Sequence, residues 1–454
     1  MASGNRSRRA CAAVILAAGQ GTRMRSKTPK VLHTVGGRSM LHHVLSLVKQ
    51  TAASPAMVIV GPHMQQVSDA VAAFDPAMGV RVQETPLGTA HAVLISQPLL
   101  DGFKGDVFIL YADTPLIQVS TLDRMIAARA EGAQIVVLGF HSDHPTGYGR
   151  LLINEDGHLA GIVEQGEATS EQKAITFCNS GVMLIDGSIL FELLDQVACD
   201  NAKGEYYLTD IIAIARNRQY KSVAIACDET EVLGVNSRSE LAQAEAGFQK
   251  RMRIAAMDEG ATLIEPDSVF FSYDTDLGQD VTILPNVFFG PGVTIDDNVT
   301  VKSFSHLEGT TIGQEAQIGP FARLRPGADI GEGARIGNFV EIKKSVVEEG
   351  AKINHLTYIG DTFVGAGANI GAGTITCYYD GFDKHETHIG RGAFIGSNNC
   401  LVAPVRIADG AYTGAGSVIS ADVSEGALAL TRVAQKEIPG WVAKFKAKSK
   451  ASES

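Results

Sequence analysis

Residues 312–342 read IGQEAQIGPFARLRPGADIGEGARIGNFVEI, and an apolar residue returns at every sixth position of this stretch. A second series with the same period runs from Ile389 to Ile419 and contains one threonine, Thr413. A period of six fits neither an α-helix nor a β-hairpin, but it is typical of a parallel β-helix, in which three hexapeptides form one triangular coil of about eighteen residues. We therefore predict that residues from about 280 to 423 form such a coil. The apolar positions are Ile312, Ile318, Leu324, Ile330, Ile336 and Ile342, then Ile389, Ile395, Leu401, Ile407, Thr413 and Ile419.

The six-residue period is disturbed between the two series. Val347, Ile353 and Ile359 come one residue early, so the register slips there. After Ile375 the stretch TCYYDGFDKHETH, residues 376–388, interrupts the period altogether. Insertions in solenoid proteins form loops that leave the coil and often serve function. We expect residues 376–388 to form a loop of this kind.

Upstream of the repeats, apolar runs alternate with amphipathic stretches. This alternation predicts a mostly parallel, Rossmann-like α/β sheet, whose ligands bind beyond the carboxyl ends of its strands. We assign residues 1–238 to this domain, residues 239–259 to a linker helix that ends at Gly260, and residues 260–454 to the β-helix domain with a C-terminal tail. The predicted strands are AVILAAG (13–19), AMVIVGP (56–62), DVFILYADTP (106–115), AQIVVLGF (133–140) and GVMLI (181–185), and the predicted helices are SMLHHVLSLVKQTAA (39–53), TAHAVLISQPLL (89–100) and VSTLDRMIAARAEG (119–132).

Composition limits the class of protein. A net charge of −11 argues against a nucleic-acid partner, and no apolar run is long enough to span a bilayer, so we expect no stable membrane association. Six cysteines lie far apart without a CxxC pair, as expected of reduced thiols in the cytoplasm. Residues 1–21 superficially resemble a signal peptide, but the apolar run is short and continues into a glycine loop without a convincing cleavage site. We therefore predict a cytoplasmic protein.

A glycine-rich turn follows the first predicted strand in VILAAGQGTRMRSKTPKVL, residues 14–32. It is neither a P-loop nor a full dinucleotide-binding fingerprint, because Met24 stands where the third glycine belongs. Its glycines let backbone N–H groups approach a phosphate, and Arg23 and Lys30 supply the positive charge that a triphosphate needs. Asp113 directly follows a strand and is a candidate Mg²⁺ ligand, although a turn aspartate before Pro115 fits that short motif almost as well.

The repeat places two pairs of residues in columns. Arg325 and Lys343 lie eighteen positions apart and each follows an inward apolar residue, so we expect them to stack on one face about 4.8 Å apart. A bound phosphate is a natural reason for two cations to stack. Ser397 and Ala415 share another column, where small side chains leave room for an extended ligand. Solvated surface positions would show the same spacing.

From Val14 to about Trp441 the chain resembles the bacterial bifunctional N-acetylglucosamine-1-phosphate uridylyltransferase/glucosamine-1-phosphate N-acetyltransferase family. The resemblance implies a left-handed β-helix, a homotrimer and two steps of UDP-N-acetylglucosamine synthesis. In one step acetyl-CoA acetylates glucosamine-1-phosphate. In the other, Mg²⁺-dependent uridylyl transfer from UTP to N-acetylglucosamine-1-phosphate releases pyrophosphate. The motifs are LAAGQGTRMRSKTPKVL (16–32), VQETPLGTAHA (82–92), YADTP (111–115), PTGYGR (145–150), GIVEQ (161–165), CNSGV (178–182), GVNSR (234–238), RLRPGA (323–328), NFVEIKKS (338–345) and NHLTYIGD (354–361).

For uridylyl transfer, the resemblance implies that Arg23 and Lys30 are catalytic and that Asp113 and Asn236 hold Mg²⁺. Ala112 stands where the family usually has glycine, a difference of one methyl group. The positions that would contact UTP or the nucleotide sugar are Leu16, Ala17, Ala18, Gly19, Lys30, Gln83, Gly88, Thr89, Tyr111, Ala112, Asp113, Gly149, Glu164, Asn179 and Asn236.

For acetyl transfer, the resemblance implies that His355 takes a proton from the sugar amine, because an imidazole titrates near neutral pH. Tyr378 stands where the family commonly has asparagine, and we expect its ring to serve as an apolar lid on the loop or on the cofactor. Glucosamine-1-phosphate would be bound by Arg325, Lys343, Tyr358 and Asn369, and acetyl-CoA by Ala372, Tyr379, Ser397, Ala415 and Arg432.

Two other hypotheses were weighed. The chain could be a single-activity sugar-1-phosphate nucleotidyltransferase whose β-helix only oligomerises or regulates, but His355, the stacked cations and the extruded loop argue against that. The β-helix could instead hold zinc, as in β-helical carbonic anhydrases. No HxxxxH spacing supports a zinc site, and most of the candidate histidines read as solvated loop residues. Those candidates are His306, His355, His385 and His388.

Overall fold

The computed structural model of the chain describes residues 9–201 and 204–451. It divides into two compact units, Met1–Met252 and Arg253–Ser454. Residues 1–8 and 452–454, which the predicted domain ranges include, lie outside the described residues, as do residues 202–203.

The first unit is built on a mixed sheet of nine strands. Its main path has the order β11-β7-β10-β6-β1-β4-β5, and β8 and β9 extend it beside β10. In chain order the strands of the unit are β1 (Cys11–Ala17), β2 (Thr34–Val35), β3 (Arg38–Ser39), β4 (Ala56–Val60), β5 (Gly79–Val82), β6 (Asp106–Tyr111), β7 (Ile135–His141), β8 (Arg150–Ile153), β9 (Leu159–Val163), β10 (Phe177–Asp186) and β11 (Ser222–Cys227), of which β2 and β3 form a separate hairpin.

Strand direction confirms the predicted parallel α/β sheet. Strand β1 pairs in parallel with β4 and β6, and β7 pairs in parallel with β11. Strand β10 runs antiparallel to both β6 and β7. Since β1 and β6 are parallel and Leu16 pairs with Tyr111, their carboxyl ends meet at one edge of the sheet. The glycine turn and Asp113 therefore leave the sheet at the same edge.

Helices cover both faces of this sheet. All residues of β1 are buried, with Ile15 and its alternate neighbours in one apolar cluster and Val14 in the cluster on the opposite face. Helices α1, α2 and α5 contribute to the first cluster, and α3, α7 and α8 to the second. The helices are α1 (Met40–Gln50), α2 (Gln65–Phe74), α3 (Thr89–Leu94), α4 (Gln97–Leu100), α5 (Val119–Ala130), α6 (Ser170–Lys173), α7 (Gly187–Leu194), α8 (Ile211–Asn217), α9 (Arg238–Asp258) and α10 (Trp441–Ala451).

Helix α9 corresponds to the predicted linker helix. It ends two residues before Gly260, whose φ of +110° lies in the region that favours glycine. The division between the two units falls within this helix. No helix in residues 9–201 or 204–451 is both long and apolar enough to cross a membrane.

The second unit is a parallel β-helix with three sheets, which we call faces 1, 2 and 3. Face 1 contains Thr262–Leu263, Thr282–Ile283, Thr300–Val301, Gln317–Ile318, Arg335–Asn338, Lys352–His355, Asn369–Ile370, Phe394–Ile395, Tyr412–Thr413 and Leu428–Ala429. Face 2 contains Asp276–Leu277, Val293–Ile295, Thr310–Ile312, Ala328–Ile330, Ser345–Val347, Thr362–Val364, Thr387–Ile389 and Val405–Ile407. Face 3 contains Phe288–Phe289, His306–Leu307, Arg323–Leu324, Glu341–Lys343, Tyr358–Gly360, Ile375–Cys377, Cys400–Val402 and Val418–Ile419.

The predicted inward positions form the core of the β-helix. Every residue of the two six-residue series is buried. The register slip corresponds to a shorter coil: Leu324 stacks on Ile342, but Ile342 stacks on Ile359. Ile375 pairs with Cys400, so the chain leaves the coil after Cys377 and returns at Thr387. The β-helix, its register slip and its extruded loop are thus confirmed.

Candidate active sites

A cavity of about 580 Å³ opens at the carboxyl ends of β1 and β6. It is the size of a small-molecule site. It brings together residues that are far apart in the chain. The predicted nucleotide-site residues that line it are Leu16, Ala17, Ala18, Gly19, Lys30, Gln83, Gly88, Thr89, Tyr111, Asp113, Glu164 and Asn179.

Four predicted residues do not line this cavity. Arg23 is exposed on the short turn Thr22–Met24. The side chain of Ala112 is fully buried in the core, so it presents only backbone toward a ligand. Gly149 lies behind Glu164, since a Cβ there would be 3.4 Å from both carboxylate oxygens. Asn236 lies behind Lys30.

The glycine turn wraps around Lys30. Gly21 has a φ of +62°, and a Cβ at this position would lie 2.5 Å from Cβ of Lys30. Glycine is therefore required here by both conformation and contact. The Lys30 side chain is 7% exposed, so its ammonium is held at the wall of the cavity rather than in solvent.

Two oxygen ligands converge on that ammonium. Lys30 Nζ donates to Asp113 Oδ2 at 2.5 Å and to Asn236 Oδ1 at 2.9 Å. The Asp113 carbonyl accepts a hydrogen bond from Val235 N at 2.9 Å, which holds the two segments together. A carboxylate and an amide oxygen directed at one cation are the donor set that Mg²⁺ prefers. The residues present therefore fit the predicted metal.

A helix cap positions Asn236. The Glu240 carboxylate accepts from Asn236 N at 2.8 Å and from the Ser237 hydroxyl at 2.9 Å, and Glu240 N donates back to Ser237 Oγ. Ser237 and Glu240 thus cap the start of α9 and tie it to the residue that precedes the cap. Burial raises the pKa of Glu240, but these hydrogen bonds outweigh it and lower the pKa below its ordinary value. A charged Glu240 thus fixes the residue that precedes the helix.

The opposite wall of the cavity contains Gly88, whose φ of +113° and ψ of 176° form a backbone conformation that essentially only glycine adopts. Thr89 Oγ1 accepts from Leu208 N at 3.0 Å, and Gln83 Nε2 donates to the Gly88 carbonyl at 3.1 Å. The segment Glu205–Thr209 therefore forms part of the wall, which sequence reasoning missed. Its run EYYLT, just after Gly204, was the available signal.

An acidic group borders the same cavity. Thr209 Oγ1 donates to Glu164, and Glu167 also lines the wall. Burial, together with the nearby Glu167 and Asp200 carboxylates, raises the pKa of Asp210 to about 6. Carboxylates gathered in this way can accept hydrogen bonds from sugar hydroxyls. Asn179, by contrast, uses its side-chain oxygen to accept from Gly181 N at 2.9 Å.

On the β-helix, Arg325 and Lys343 form the predicted stack, and each donates a hydrogen bond to a carboxylate. Register continues from Leu324 and Ile342, so Arg325 and Lys343 occupy one column of face 3. Glu341 accepts from Arg325 at 2.9 Å, and Asp361 accepts from Lys343 at 2.9 Å. These hydrogen bonds raise the pKa of both cations.

Four cations share these two carboxylates. Arg323 lies 3.6 Å from Glu341 and Lys344 lies 3.2 Å from Asp361, in addition to Arg325 and Lys343. The cluster therefore carries an excess of two positive charges. A phosphate monoester carries nearly two negative charges at neutral pH. The electrostatics thus suit a dianionic ligand.

The two predicted aromatic residues of this region lie close together. Tyr358 leans over Gly360, where a Cβ would come within 2.8 Å of its ring. Tyr378 stacks on Tyr358 with ring centroids 6.0 Å apart, and the Lys343 ammonium lies 4.6 Å from the Tyr378 centroid. The Tyr378 ring thus packs on the cation cluster and not on its own loop, which was one of the two expected positions.

Asn369 is not brought to this cluster. It lies on face 1, where it pairs with Lys352 and Phe394, whereas Arg325, Lys343 and Tyr358 lie on face 3. Within one chain these four predicted sugar-phosphate residues therefore occupy two faces of the β-helix.

His355 is oriented by a neighbour one coil away. It pairs in register with Asn338, and the Asn338 amide oxygen accepts from His355 Nδ1 at 2.7 Å. Because an amide oxygen can only accept, Nδ1 carries the proton and the lone pair of Nε2 is left for chemistry. Sequence reasoning missed Asn338, although it stands one coil before His355.

A column of small residues continues from His355. The carbonyls of His355, Ala372 and Ser397 each accept a hydrogen bond from the next coil, at 3.3, 2.7 and 2.8 Å. Arg432 Nη1 closes the column by donating to the Ala415 carbonyl at 3.1 Å. The predicted acyl-donor residues Ala372, Ser397, Ala415 and Arg432 thus share one edge with the predicted base. Tyr379 lies on the loop, where its hydroxyl donates to Gly381 O at 2.7 Å.

The histidines of the zinc hypothesis have separate neighbours. His385 bonds Asp380 at 2.8 Å, His388 stacks on Phe363, and His306 stacks on Phe288. In the part of the chain that the structure describes, no group of three or more His, Cys, Asp or Glu residues could hold a metal ion.

Comparison with known proteins matches both regions of the chain. Residues 13–176 match the model of the MobA-like NTP transferase domain, and residues 309–344 match the bacterial transferase hexapeptide (six repeats). The bifunctional protein GlmU of Paramagnetospirillum magneticum is 54% identical over 444 residues, 97% of this chain and 98% of the relative. The bifunctional proteins GlmU of Azorhizobium caulinodans and Agrobacterium fabrum are 52% and 49% identical, over 97% and 98% of this chain and 98% of each relative.

The chain belongs to the GlmU family. It is accordingly a bifunctional transferase of UDP-N-acetylglucosamine synthesis, with a nucleotidyltransferase region and an acyltransferase region. The three-faced domain of this GlmU member is the left-handed β-helix of hexapeptide transferases.

Proposed function

We propose that the second unit transfers acetyl from acetyl-CoA to glucosamine-1-phosphate and that the first unit then transfers uridylyl from UTP to the N-acetylated product. One observation supports this assignment above all. Each unit gathers its own set of groups, an oxygen–ammonium cluster in one and an oriented imidazole beside a cation cluster in the other. The two chemistries need different groups, and the chain provides both.

For uridylyl transfer, we propose that Asp113 and Asn236 hold Mg²⁺, which would neutralise charge on the triphosphate and pyrophosphate. Lys30, released from those two oxygens, binds phosphate oxygens, and Arg23 adds charge from the rim. The phosphate oxygen of N-acetylglucosamine-1-phosphate attacks the α-phosphorus of UTP, and the bond to pyrophosphate breaks. This displacement needs no protein nucleophile, because positioning and charge neutralisation supply the catalysis.

We propose that different walls of the cavity bind the nucleotide and the sugar. Backbone groups of residues 16–19 lie beside Lys30 and suit the nucleotide, as do Gln83, Gly88 and Thr89 on the opposite wall. Glu164, with Asn179 and the backbone at Gly149, suits the sugar hydroxyls. Tyr111 lies between Asp113 and Gly181, and burial raises the pKa of its hydroxyl, which therefore stays protonated as a donor.

For acetyl transfer, we propose that Nε2 of His355 accepts a proton from the sugar ammonium as the amine attacks the thioester carbonyl. The tetrahedral intermediate collapses, the carbon–sulfur bond breaks, and the coenzyme A thiolate takes up a proton. Asn338 is a positioning residue that holds the imidazole tautomer. Arg325, Lys343 and Tyr358 bind the sugar phosphate.

The acyl donor fits the edge that begins at His355. On one side of His355 this edge carries Phe339, and Leu356 follows His355 in its own coil. On the other side the same positions are Gly373, Asn398 and Gly416, so the large apolar side chains end at the proposed base. An extended thioester can lie along that other side, over Ala372, Ser397 and Ala415, with Tyr379 and Arg432 close to it.

We propose a homotrimer, in keeping with the oligomerisation that hexapeptide repeats favour. Asn369 occupies a different face from the other sugar-phosphate residues, so a second copy is needed to complete that site. An exposed apolar column offers a surface for it: the rings of Phe304, Phe321 and Phe339 stack 4.9 and 5.0 Å apart, and each is about half exposed. Stacked exposed rings of this kind mark interaction surfaces. We place the enzyme in the cytoplasm, where UTP and acetyl-CoA are available.

The test measures both reactions in three purified variants. Asp113→Ala removes a metal oxygen and should lower Mg²⁺-dependent pyrophosphate release on the order of 100-fold or more while thiol release from acetyl-CoA persists. His355→Ala should have the opposite effect. His306→Ala, an exposed histidine on face 3, is the matched control and should leave both rates unchanged. Loss of both activities from either active-site change, in a folded protein, would contradict the assignment, and thiol release that survives His355→Ala would remove the proposed base.

A further inference from the structure

Tyr378 begins the extruded loop, yet its ring lies on the cation cluster. It follows the strand Ile375–Cys377, and it is half-buried, whereas Phe382 near the tip of the loop is 91% exposed. Its ring is stacked on Tyr358 at an interplanar angle of 24°. The base of the loop is therefore packed on face 3 while its tip is free.

The Lys343 ammonium lies between two groups of the protein. The carboxylate of Asp361, which is buried, accepts a hydrogen bond from Lys343 Nζ at 2.9 Å. The centroid of the Tyr378 ring lies 4.6 Å from the same nitrogen. A cation over an aromatic face is attracted by the ring quadrupole. One of its three donors is used by Asp361, so others are left for a ligand. The ring thus limits where the ammonium can point.

The two tyrosine hydroxyls are also linked. A hydrogen bond from Tyr358 lowers the pKa of Tyr378, with Lys343 and Lys384 adding to the effect. Burial and the same link raise the pKa of Tyr358, which therefore remains a protonated donor. The absence of a side chain at Gly360 leaves room for the Tyr358 ring. Tyr378 therefore contacts both an ammonium and a phenol that face the acceptor side of the site.

We propose that Tyr378 is a positioning residue for the phosphorylated amino sugar, the acetyl acceptor, and does not serve the acyl donor. It holds Lys343 and Tyr358 in the orientation that binds the sugar phosphate. The inference rests on the proposed acetyl transfer. It also separates the functions of two adjacent tyrosines, since Tyr379 turns its hydroxyl back to the loop backbone at Gly381.

Three variants of the full-length enzyme test this role. Tyr378→Asn removes the ring, Tyr378→Phe keeps the ring and removes the hydroxyl, and Phe382→Asn alters an exposed ring of the same loop as the control. Tyr378→Asn should raise KM for glucosamine-1-phosphate about three- to tenfold, the range expected for one lost cation–π contact. KM for acetyl-CoA and kcat should change less than about twofold. Tyr378→Phe, which keeps the ring contact, should raise KM for the sugar phosphate clearly less than Tyr378→Asn does, and Phe382→Asn should leave all constants unchanged.

Other outcomes are decisive against the inference. A rise in KM for acetyl-CoA with Tyr378→Asn would mean that the ring contributes to the acetyl-CoA site. An unchanged KM for the sugar phosphate would mean that Tyr378 does not position the sugar-phosphate site. If Tyr378→Phe behaved like Tyr378→Asn, the ring contact would be refuted. Pyrophosphate release by each variant shows that the first unit is folded, and an unchanged KM for acetyl-CoA shows that the β-helix is folded. Absence of acetyl transfer in the parent enzyme would instead refute the proposed function itself.

Discussion

Replacing Gly88 by alanine perturbs the wall of the nucleotide cavity without removing any functional group. The Gly88 backbone has a φ of +113° and a ψ of 176°, a conformation that other residues avoid. A Cβ would lie 2.5 Å from the carbonyl oxygen of Tyr206 and 2.7 Å from its nitrogen. Relief therefore requires movement of backbone on one side of the contact or the other.

The energetic cost follows from what holds Tyr206. Its N–H donates to Leu87 O at 2.8 Å, and its carbonyl accepts from Ala90 N at 3.0 Å. A strained non-glycine backbone costs about 1–3 kcal/mol, and each hydrogen bond lost as Tyr206 withdraws adds about 1 kcal/mol. The total is about 2–5 kcal/mol. We therefore expect the first unit to lose about this much stability, and KM for UTP to rise because the wall of the cavity must move.

The assay compares UTP kinetics and thermal inactivation of pyrophosphate release in Gly88→Ala and Gly132→Ala. Gly132 also has a positive φ, +101°, but a Cβ there meets open space, so it reports the conformational cost alone. Acetyl transfer serves as the internal reference. The reasoning is refuted if Gly88→Ala is no worse than Gly132→Ala, or if acetyl transfer falls in parallel with uridylyl transfer.

Two further outcomes concern pH and assembly. Burial lowers the pKa of His43 from 6.5 to about 4, so between these pH values the unfolded chain binds a proton that the folded chain does not. The first unit should therefore lose up to about 3 kcal/mol of stability as pH falls from 6.5 to 4. Urea titrations of His43→Gln should show a smaller loss over the same pH range. The double change Phe321→Ser with Phe339→Ser should dissociate the proposed trimer in sedimentation and reduce acetyl transfer, whereas Phe382→Ser should do neither. A parent enzyme that sediments as an active monomer would contradict the proposed shared site.

The β-helix was predictable because one rule governs its core. An inward side chain at every sixth position identifies the coil, and residues one coil apart must then share a column. Arg325 and Lys343 follow from that rule. Asn338 was missed because the coil between it and His355 has seventeen residues, so counting by eighteen passes over it. The register slip was visible at Val347, Ile353 and Ile359, and applying it to the outward positions would have found Asn338.

In the first unit, the strands that are completely buried could be predicted from the sequence, and those that are partly exposed could not. Strands β1 and β6 are continuous apolar runs and were predicted, whereas β5 is half exposed and β11 is mostly intermediate, so their sequences carry weaker signals. The Glu205–Thr209 wall has no regular pattern, and its position depends on contacts with Gly88 that only the folded chain reveals. The contact of Tyr378 with the cation cluster was not predicted for the same reason, since loop residues carry no period from which the direction of a side chain can be read.

One edge of the β-helix presents two different surfaces, because its side chains are aromatic on one side of His355 and not on the other. On one side of His355 the edge presents Phe304, Phe321 and Phe339, which are too bulky to admit a thin ligand and too exposed to be left unpartnered. On the other side the aromatic residues end, and the equivalent positions are Gly373, Asn398 and Gly416. A partner chain suits the first half, and the proposed extended thioester suits the second. The proposed base therefore lies where the two halves meet, which is the position that a site completed by a neighbouring copy would require.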